Sequence, residues 1–489
     1  MRLFCLLLAG CGAGPLAADL GPPVDRDAGA PDRPANLGHD AAPGSLDAGV
    51  RDHGAADALP DAAVVAPDAA EIVDATPDAA LVPPDVGLDG APDGPAPDAP
   101  GASDAGAGDA GLECAAARLG ARLGRTGFLV GGDMDDASFA QAPFDWRAVY
   151  IANDVPENGP CASCAVGCTV NGQSCANNGC GWWGCWQSDS LPPGRYAVDF
   201  ITATEAAGAL PWLTYYVWHY VASETEGWPE VAALNDPSLV RPYLEDWRFF
   251  CRRVAEATDG PVFLHVEPDL WGFGEQVNEN PEAIPAVVSA ATAAECAAEP
   301  NTMGGLARCM LAIARAEAPG ALVGFHASAW GAGADAIHNS NPGFDLLGHA
   351  EATAAFLTKL GAGAGDFVAV EMSDRDAAED GRWWDVSDQV LPDFEQARDW
   401  VRAVAEGIGL APVWWQVPYG SARLPNVCGR YRDNRVDYVF DWPERFATDA
   451  LGVLFGSGGP CSTDPGDDRG HFIDRAGTYF AGPPPAWCR

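Results

Sequence analysis

The stretch Phe263-Leu264-His265-Val266-Glu267-Pro268-Asp269-Leu270-Trp271 is a short apolar run that stops at two acids, and the pattern recurs along the chain. Continuous runs of Val, Phe, Leu and Trp occupy residues 127–130, 148–152, 210–218, 262–266, 322–325, 367–370, 413–416 and 452–455. Runs that are apolar at nearly every position, rather than at every second one, mark strands covered on both faces by helices. Helical spacing of apolar residues fills the gaps, at 195–207, 244–257, 286–298, 305–316, 348–360, 393–407 and 435–447. Eight strands interleaved with helices predict an α/β fold of the (β/α)8, or TIM-barrel, type. The rival is an open sheet with nucleotide-binding loops. It is disfavoured because no G-x-G-x-x-G or G-x-x-x-x-G-K follows a strand.

In such a barrel the chemistry gathers at the C-terminal ends of the strands. Read in order, those ends carry Asp133 and Asp135, Asn153 and Asp154, His219, then Glu267 and Asp269. His326, Ser328 and Trp330 follow, then Glu371, Ser373, Asp374 and Asp376, then Gln416 and Tyr419, and last Ser457. Polar ends on apolar strands predict a polar cavity. Glu267, followed by a proline that holds it in an extended turn, and Glu371, which closes Val368-Ala369-Val370, are the expected catalytic pair. Hydrolysis of a glycosidic bond needs two such carboxyl groups facing one another, one as acid and one as base or nucleophile. Asp133, Asn153, His219, Asp269, Trp271, His326, Trp330, Asp374, Trp415 and Gln416 are expected to bind the substrate. Flat rings give sugars an apolar face while polar groups take the hydroxyls. Of each pair Trp383-Trp384 and Trp414-Trp415, one ring is expected in the core and one at the cavity. The bland alternative is that these acids cap helices or pair with Arg375, Arg432 or Arg435. No G-x-S-x-G or H-E-x-x-H occurs, which argues against a serine hydrolase and a zincin. No metal and no cofactor are expected. Ser462-Thr463-Asp464-Pro465-Gly466-Asp467-Asp468 reads as a solvated loop ahead of a calcium loop.

Over roughly residues 127–455 the sequence resembles the barrel glycoside hydrolases as a broad group. Glu267-Pro268-Asp269 looks like the Glu-Pro-Asp strand end of cellulase-type barrels. It is also similar to the Asn-Glu-Pro acid/base motif of the large retaining clan, with Val266 where that clan has asparagine. Strand seven ends in Trp414-Trp415-Gln416, where that clan has its nucleophilic glutamate. A pairing of strands four and six, Glu267 with Glu371, resembles some galactosidase-like barrels. The resemblance implies O-glycosyl hydrolysis of an oligo- or polysaccharide. The two departures keep a non-catalytic carbohydrate-binding or adhesion barrel as the second reading.

The 489 residues carry 69 acidic and 28 basic side chains, a net charge of −41. Residues 12–113 hold twenty acids, three arginines and no aromatic residue, and residues 114–489 carry a net of −25. No basic patch can form from this, so nucleic acid is not an expected partner. Repeated Pro-Asp-Ala units predict a disordered, extended linker over 12–113. Met1-Arg2 and the run Leu3-Phe4-Cys5-Leu6-Leu7-Leu8 read as a secretory signal, too short to span a bilayer. Leu8-Ala9-Gly10-Cys11 resembles the lipobox of bacterial lipoproteins. That implies lipidation of Cys11 and, with no aspartate after it, an outer-membrane or cell-surface anchor; an ordinary cleaved signal is the alternative. The expected protein is a monomer that meets the membrane through its lipid alone. Residues 1–11 are thus signal, 12–113 linker and 114–489 barrel, with a cysteine-rich insertion at about 158–190. In an exported chain the cysteines read as disulfides. Cys161, Cys164, Cys168, Cys175, Cys180 and Cys185 predict a stapled loop on the active face; a zinc reading of Cys161-x-x-Cys164 has no second pair of matching spacing. Cys296 is expected to pair with Cys309, Cys428 with Cys461 and Cys114 with Cys488, leaving Cys251 as a buried thiol.

Overall fold

Eight parallel strands close on themselves in the computed structural model, which describes residues 114–155, 169–170, 173–174, 182–185, 192–222 and 224–488. They are β1 (Leu129–Asp133), β2 (Trp146–Ala152), β3 (Leu210–Tyr216), β4 (Phe263–Val266), β5 (Leu322–His326), β6 (Phe367–Glu371), β7 (Ala411–Val417) and β8 (Gly452–Phe455). Each pairs with its sequence neighbour, and β1 pairs with β8 to complete the ring. This is the expected (β/α)8 barrel. Cys11, the linker and most of the cysteine-rich insertion lie outside the described residues.

The closed ring explains why the strands are apolar throughout. Their outward residues pack under helices such as Pro237–Ala257, Met303–Glu317, Leu346–Leu360 and Phe394–Ile408. Their inward residues fill the barrel, where Trp146, Trp212, Phe263 and Phe367 pack within 4.8–6.0 Å of one another between ring centres. Side-chain caps start the helices: Asp236, Thr302, Asp345 and Asp393 each accept from a backbone N–H in the first turn, satisfying groups the helix leaves open. The bottom of the barrel is closed by the helix Ala115–Arg122 and by Trp487. Gly120 is required there, because a Cβ would fall 2.1 Å from the Trp487 ring.

Two expected helices differ. Residues 286–298 form two single 3-10 turns, Val288–Ala290 and Ala294–Cys296. A bridge between Pro285 and Thr302 and the Cys296–Cys309 disulfide tie this segment down as a loop. The helix at 435–447 divides into Arg435–Asp441 and Pro443–Asp449, since Pro443 has no N–H to continue the ladder. Cys114–Cys488 and Cys428–Cys461 are also bonded, and Cys251 is free and buried, as expected. The segment 462–468 is only partly solvated, with Asp464 and Gly466 exposed. Ser462, Thr463 and Asp468 are buried, and Asp468 accepts from the N–H groups of Gly470 and Phe472 at the start of helix His471–Phe480.

Candidate functional site

The β2, β4 and β7 ends share an unusual backbone. Asn153, Glu267 and Gln416 all have positive φ, at 98°, 48° and 56°, a region that costs a non-glycine residue energy and clusters at functional sites. At the mouth, Tyr150 of β2 lies 6.4 Å from Tyr216 of β3 and 5.9 Å from Trp415 of β7, measured between ring centres. Tyr216 also stacks on His219 at 5.4 Å with an interplanar angle of 6°. These rings form an aromatic floor. A cavity of about 10 Å3 beside it is lined by Asp133, Tyr150, Trp415, Gln416 and Ser457, among others, so the barrel centre admits one water and no sugar.

Besides Asp133 in the cavity wall, two carboxyl groups stand around this floor, Asp269 and Glu371. Both are half-buried. Tyr216 donates its hydroxyl to Asp269 Oδ2 at 2.8 Å. Burial pushes the Asp269 carboxyl up to about 6, against the pull of that hydrogen bond. Glu371 is raised well above its ordinary 4.5, first by burial and then by the charges of Asp374, Asp269 and Asp335, with Arg382 pulling the other way. Arg382 lies 3.9 Å from Asp374 and 3.8 Å from Asp335. Burial thus raises both carboxyls, Asp269 against a tyrosine hydroxyl and Glu371 with further push from neighbouring acids. Gly458 passes over this group; a Cβ there would fall 2.2 Å from the Asp374 carbonyl and 2.4 Å from Gln416 Nε2.

Glu267, expected at the mouth, is not there. It is fully buried, and Oε1 accepts from the N–H groups of Val217 (3.2 Å) and Trp218 (3.0 Å) and from the Tyr243 hydroxyl (2.9 Å). Tyr243 belongs to the helix Pro237–Ala257 and also meets Met310 on Met303–Glu317. The carboxyl therefore sits between barrel and helices, pushed up to about 8 by burial. The positive-φ turn at Glu267 aims the side chain outward, and the extended turn expected from Pro268 does not form. Trp271 is 1% exposed, donates to the Val266 carbonyl and packs on Phe325, so it too belongs to the helix layer. His326 is buried inside the barrel, 3.1 Å from His265 and beside Trp415. Burial lowers it to about 3, leaving it neutral.

Of the other expected residues, Asp133, Trp415 and Gln416 line the small cavity, Asp269 and His219 meet Tyr216, Asp374 bears on Glu371, and Asn153 follows strand β2. Trp330 is half-buried against Phe273 at 4.9 Å. Trp414 is in the core and Trp415 lines the small cavity, as the paired reading requires, while Trp384 is buried and Trp383, 39% exposed, is not among the residues lining that cavity. Sequence reasoning missed Tyr150, Tyr216, Arg382 and Asp335. The tyrosines lie in apolar runs and are legible only once it is known which face each strand turns inward. Asp335 and Arg382 lie in long loops with no pattern to mark them. Of the insertion, Trp182 and Trp183 donate to both oxygens of Asp246 on the outer helix Pro237–Ala257, and Cys185 is disulfide-bonded.

No family model and no curated protein matches the chain. Solved structures with a similar arrangement include a GH53 catalytic domain from Ignisphaera aggregans, at 10% identity and a TM-score of 0.38, covering 74% of this chain and 93% of that one. A modular endo-beta-1,4-mannanase of glycoside hydrolase family 26 from Cellulomonas fimi is 11% identical with a TM-score of 0.43, covering 76% and 74%. A GH10 xylanase from Thermobacillus composti is 10% identical with a TM-score of 0.34, covering 73% and 98%.

Proposed function

We propose that the barrel mouth hydrolyses a glycan, with Glu371 as general acid and Asp269 as the partner carboxylate. The observation that carries this reading is the pair itself: two half-buried carboxyl groups on one aromatic floor, Asp269 held by the Tyr216 hydroxyl and Glu371 in register with Trp415, with the Tyr150 ring between Tyr216 and Trp415. Burial and the neighbouring acids favour the protonated form of Glu371, which gives its proton to the departing sugar oxygen. Asp269 is ionised above about pH 6 and acts as base or nucleophile on the opposite side. Tyr216 holds Asp269 in place, and Tyr150 and Trp415 provide rings for a sugar to lie against. A lipid on Cys11 would tether the barrel to the cell surface through the acidic linker. The test is to incubate the protein and its Glu371→Gln and Asp269→Asn variants with a polysaccharide panel. Reducing ends released by the native chain and by neither variant support the assignment. The product anomer then reports carboxyl spacing, about 5–5.5 Å for retention and about 6.5–9.5 Å for inversion.

One observation favours the second reading, a carbohydrate-binding barrel: the mouth is shallow, with its centre filled by Tyr150 and Trp415. A binder would retain a glycan on an affinity gel and release no reducing ends.

A further inference from the structure

Between the loops that follow β5 and β6 lies a cavity of about 280 Å3 that shares no residue with the small cavity at the mouth. Its polar wall is made of Asp388, Asp393, Glu395, Gln396 and Asp399, and its apolar wall includes Phe344, Leu346 and Leu391. No cationic side chain lines it. Gln396 gives the strongest indication of what fits. It is 8% exposed, and its Nε2 donates to the carbonyls of Ala336 (2.6 Å) and Asn339 (3.0 Å). Its Oε1 is a buried acceptor without a partner among the described residues, and so is Asp388 Oδ1. An open buried acceptor costs about 1–3 kcal/mol, which a donor arriving from the cavity would recover.

The charge balance points the same way. Arg445 pairs with Asp388, Arg398 with Glu395 and Arg402 with Asp399, while Arg398 and Arg402 also share Asp449. Asp385 and Asp393 add to this group, so six acids meet three arginines. Asp393 is raised by burial and by the charges of Asp388, Asp385 and Glu395. Among the described residues no group of three or more His, Cys, Asp and Glu side chains is arranged to hold a metal ion, so an organic cation suits the walls better than a metal ion does. An ammonium group brings three donors for the oxygens. Phe344, Leu346 and Leu391 in the apolar wall suit a methylene chain. Leu347 and Val390, neighbours in sequence of lining residues, are 59% and 67% exposed.

We propose that this cavity is a second binding site, for a primary alkylamine, with the ammonium group on the acids and Gln396 and the chain along Phe344, Leu346 and Leu391. The proposal is independent of the chemistry at the mouth. It is tested by calorimetric titration of the full chain at low salt with 1-aminopentane and, separately, with uncharged 1-pentanol. The expected result is saturable one-to-one binding of the amine alone. In the double variant Asp393→Asn, Glu395→Gln the affinity should fall about tenfold or more, as charge-assisted hydrogen bonds are lost. The amide introduced by Asp393→Asn can still cap the helix, so the melting temperature reports whether the variant is folded. If it is not, Glu395→Gln alone carries the test, because that side chain is 48% exposed and its loss of charge should still weaken binding measurably. Absence of saturation, equal binding of pentanol, or unchanged affinity in the folded variant would overturn the proposal.

Discussion

Glu267 and Glu371 each follow an apolar strand of the same barrel, and they have opposite surroundings. Glu371 continues β6 in regular extended backbone and reaches the mouth, where Asp269, Asp374 and Asp335 act on it. Glu267 follows β4 with φ at 48° and turns outward onto two peptide N–H groups and a tyrosine of the surrounding helices. Both carboxyls are raised mainly by burial. A shifted proton affinity therefore does not identify a catalytic acid by itself, and only the direction of the side chain separates the two.

The largest expected effect follows from breaking the mouth. Glu371→Gln should lower kcat by about 10³-fold, within the range for loss of a general acid, with a melting temperature close to native. An equal loss of stability would place Glu371 in the class of Glu267. The converse test is Glu267→Ala, which leaves the N–H groups of Val217 and Trp218 and the Tyr243 hydroxyl without their acceptor. Urea unfolding should show a loss of about 3 kcal/mol.

The pH dependence sharpens the contrast. Asp269 must be ionised, so activity should fall as pH drops through about 6, and a pH–rate profile checks this. Glu267 binds its proton more tightly in the folded chain, at about 8 against an ordinary 4.5. Its contribution to stability is thus fully present below 4.5 and lost as pH rises towards 8. Glu267→Gln should flatten that slope in melting curves between about pH 5 and 9 without moving the activity profile. The smallest effect belongs to Arg382→Ala. Arg382 opposes the rise of Glu371, so its removal should move the alkaline limb of activity upward by less than about one pH unit.

How much was legible depended on how local the signal was. The three described disulfide pairs were expected with no local signal to fix them, whereas the eight strands and most of the helices follow from apolar runs and helical periods. Those features act within a few residues or through simple counting. The helix expected at 286–298 failed because a bridge and a disulfide outweigh propensity there. At the site, Glu371, Asp269 and Asp374 were legible as acids at strand ends. Tyr150 and Tyr216 were not, since a run apolar at every position does not say which residues face inward.

By itself the sequence determined that this is an apolar-stranded (β/α)8 barrel with acids and rings at its strand ends. The periodicity of side chains and the need to bury them leave little else for the folded region. Only the tertiary structure decided which acids meet. Whether a strand-end carboxyl enters the mouth or the helix layer turns on one backbone dihedral and on the donors waiting on either side. Those donors, Val217, Trp218 and Tyr243 for Glu267 and Tyr216 for Asp269, come from elements 24 to 53 residues away.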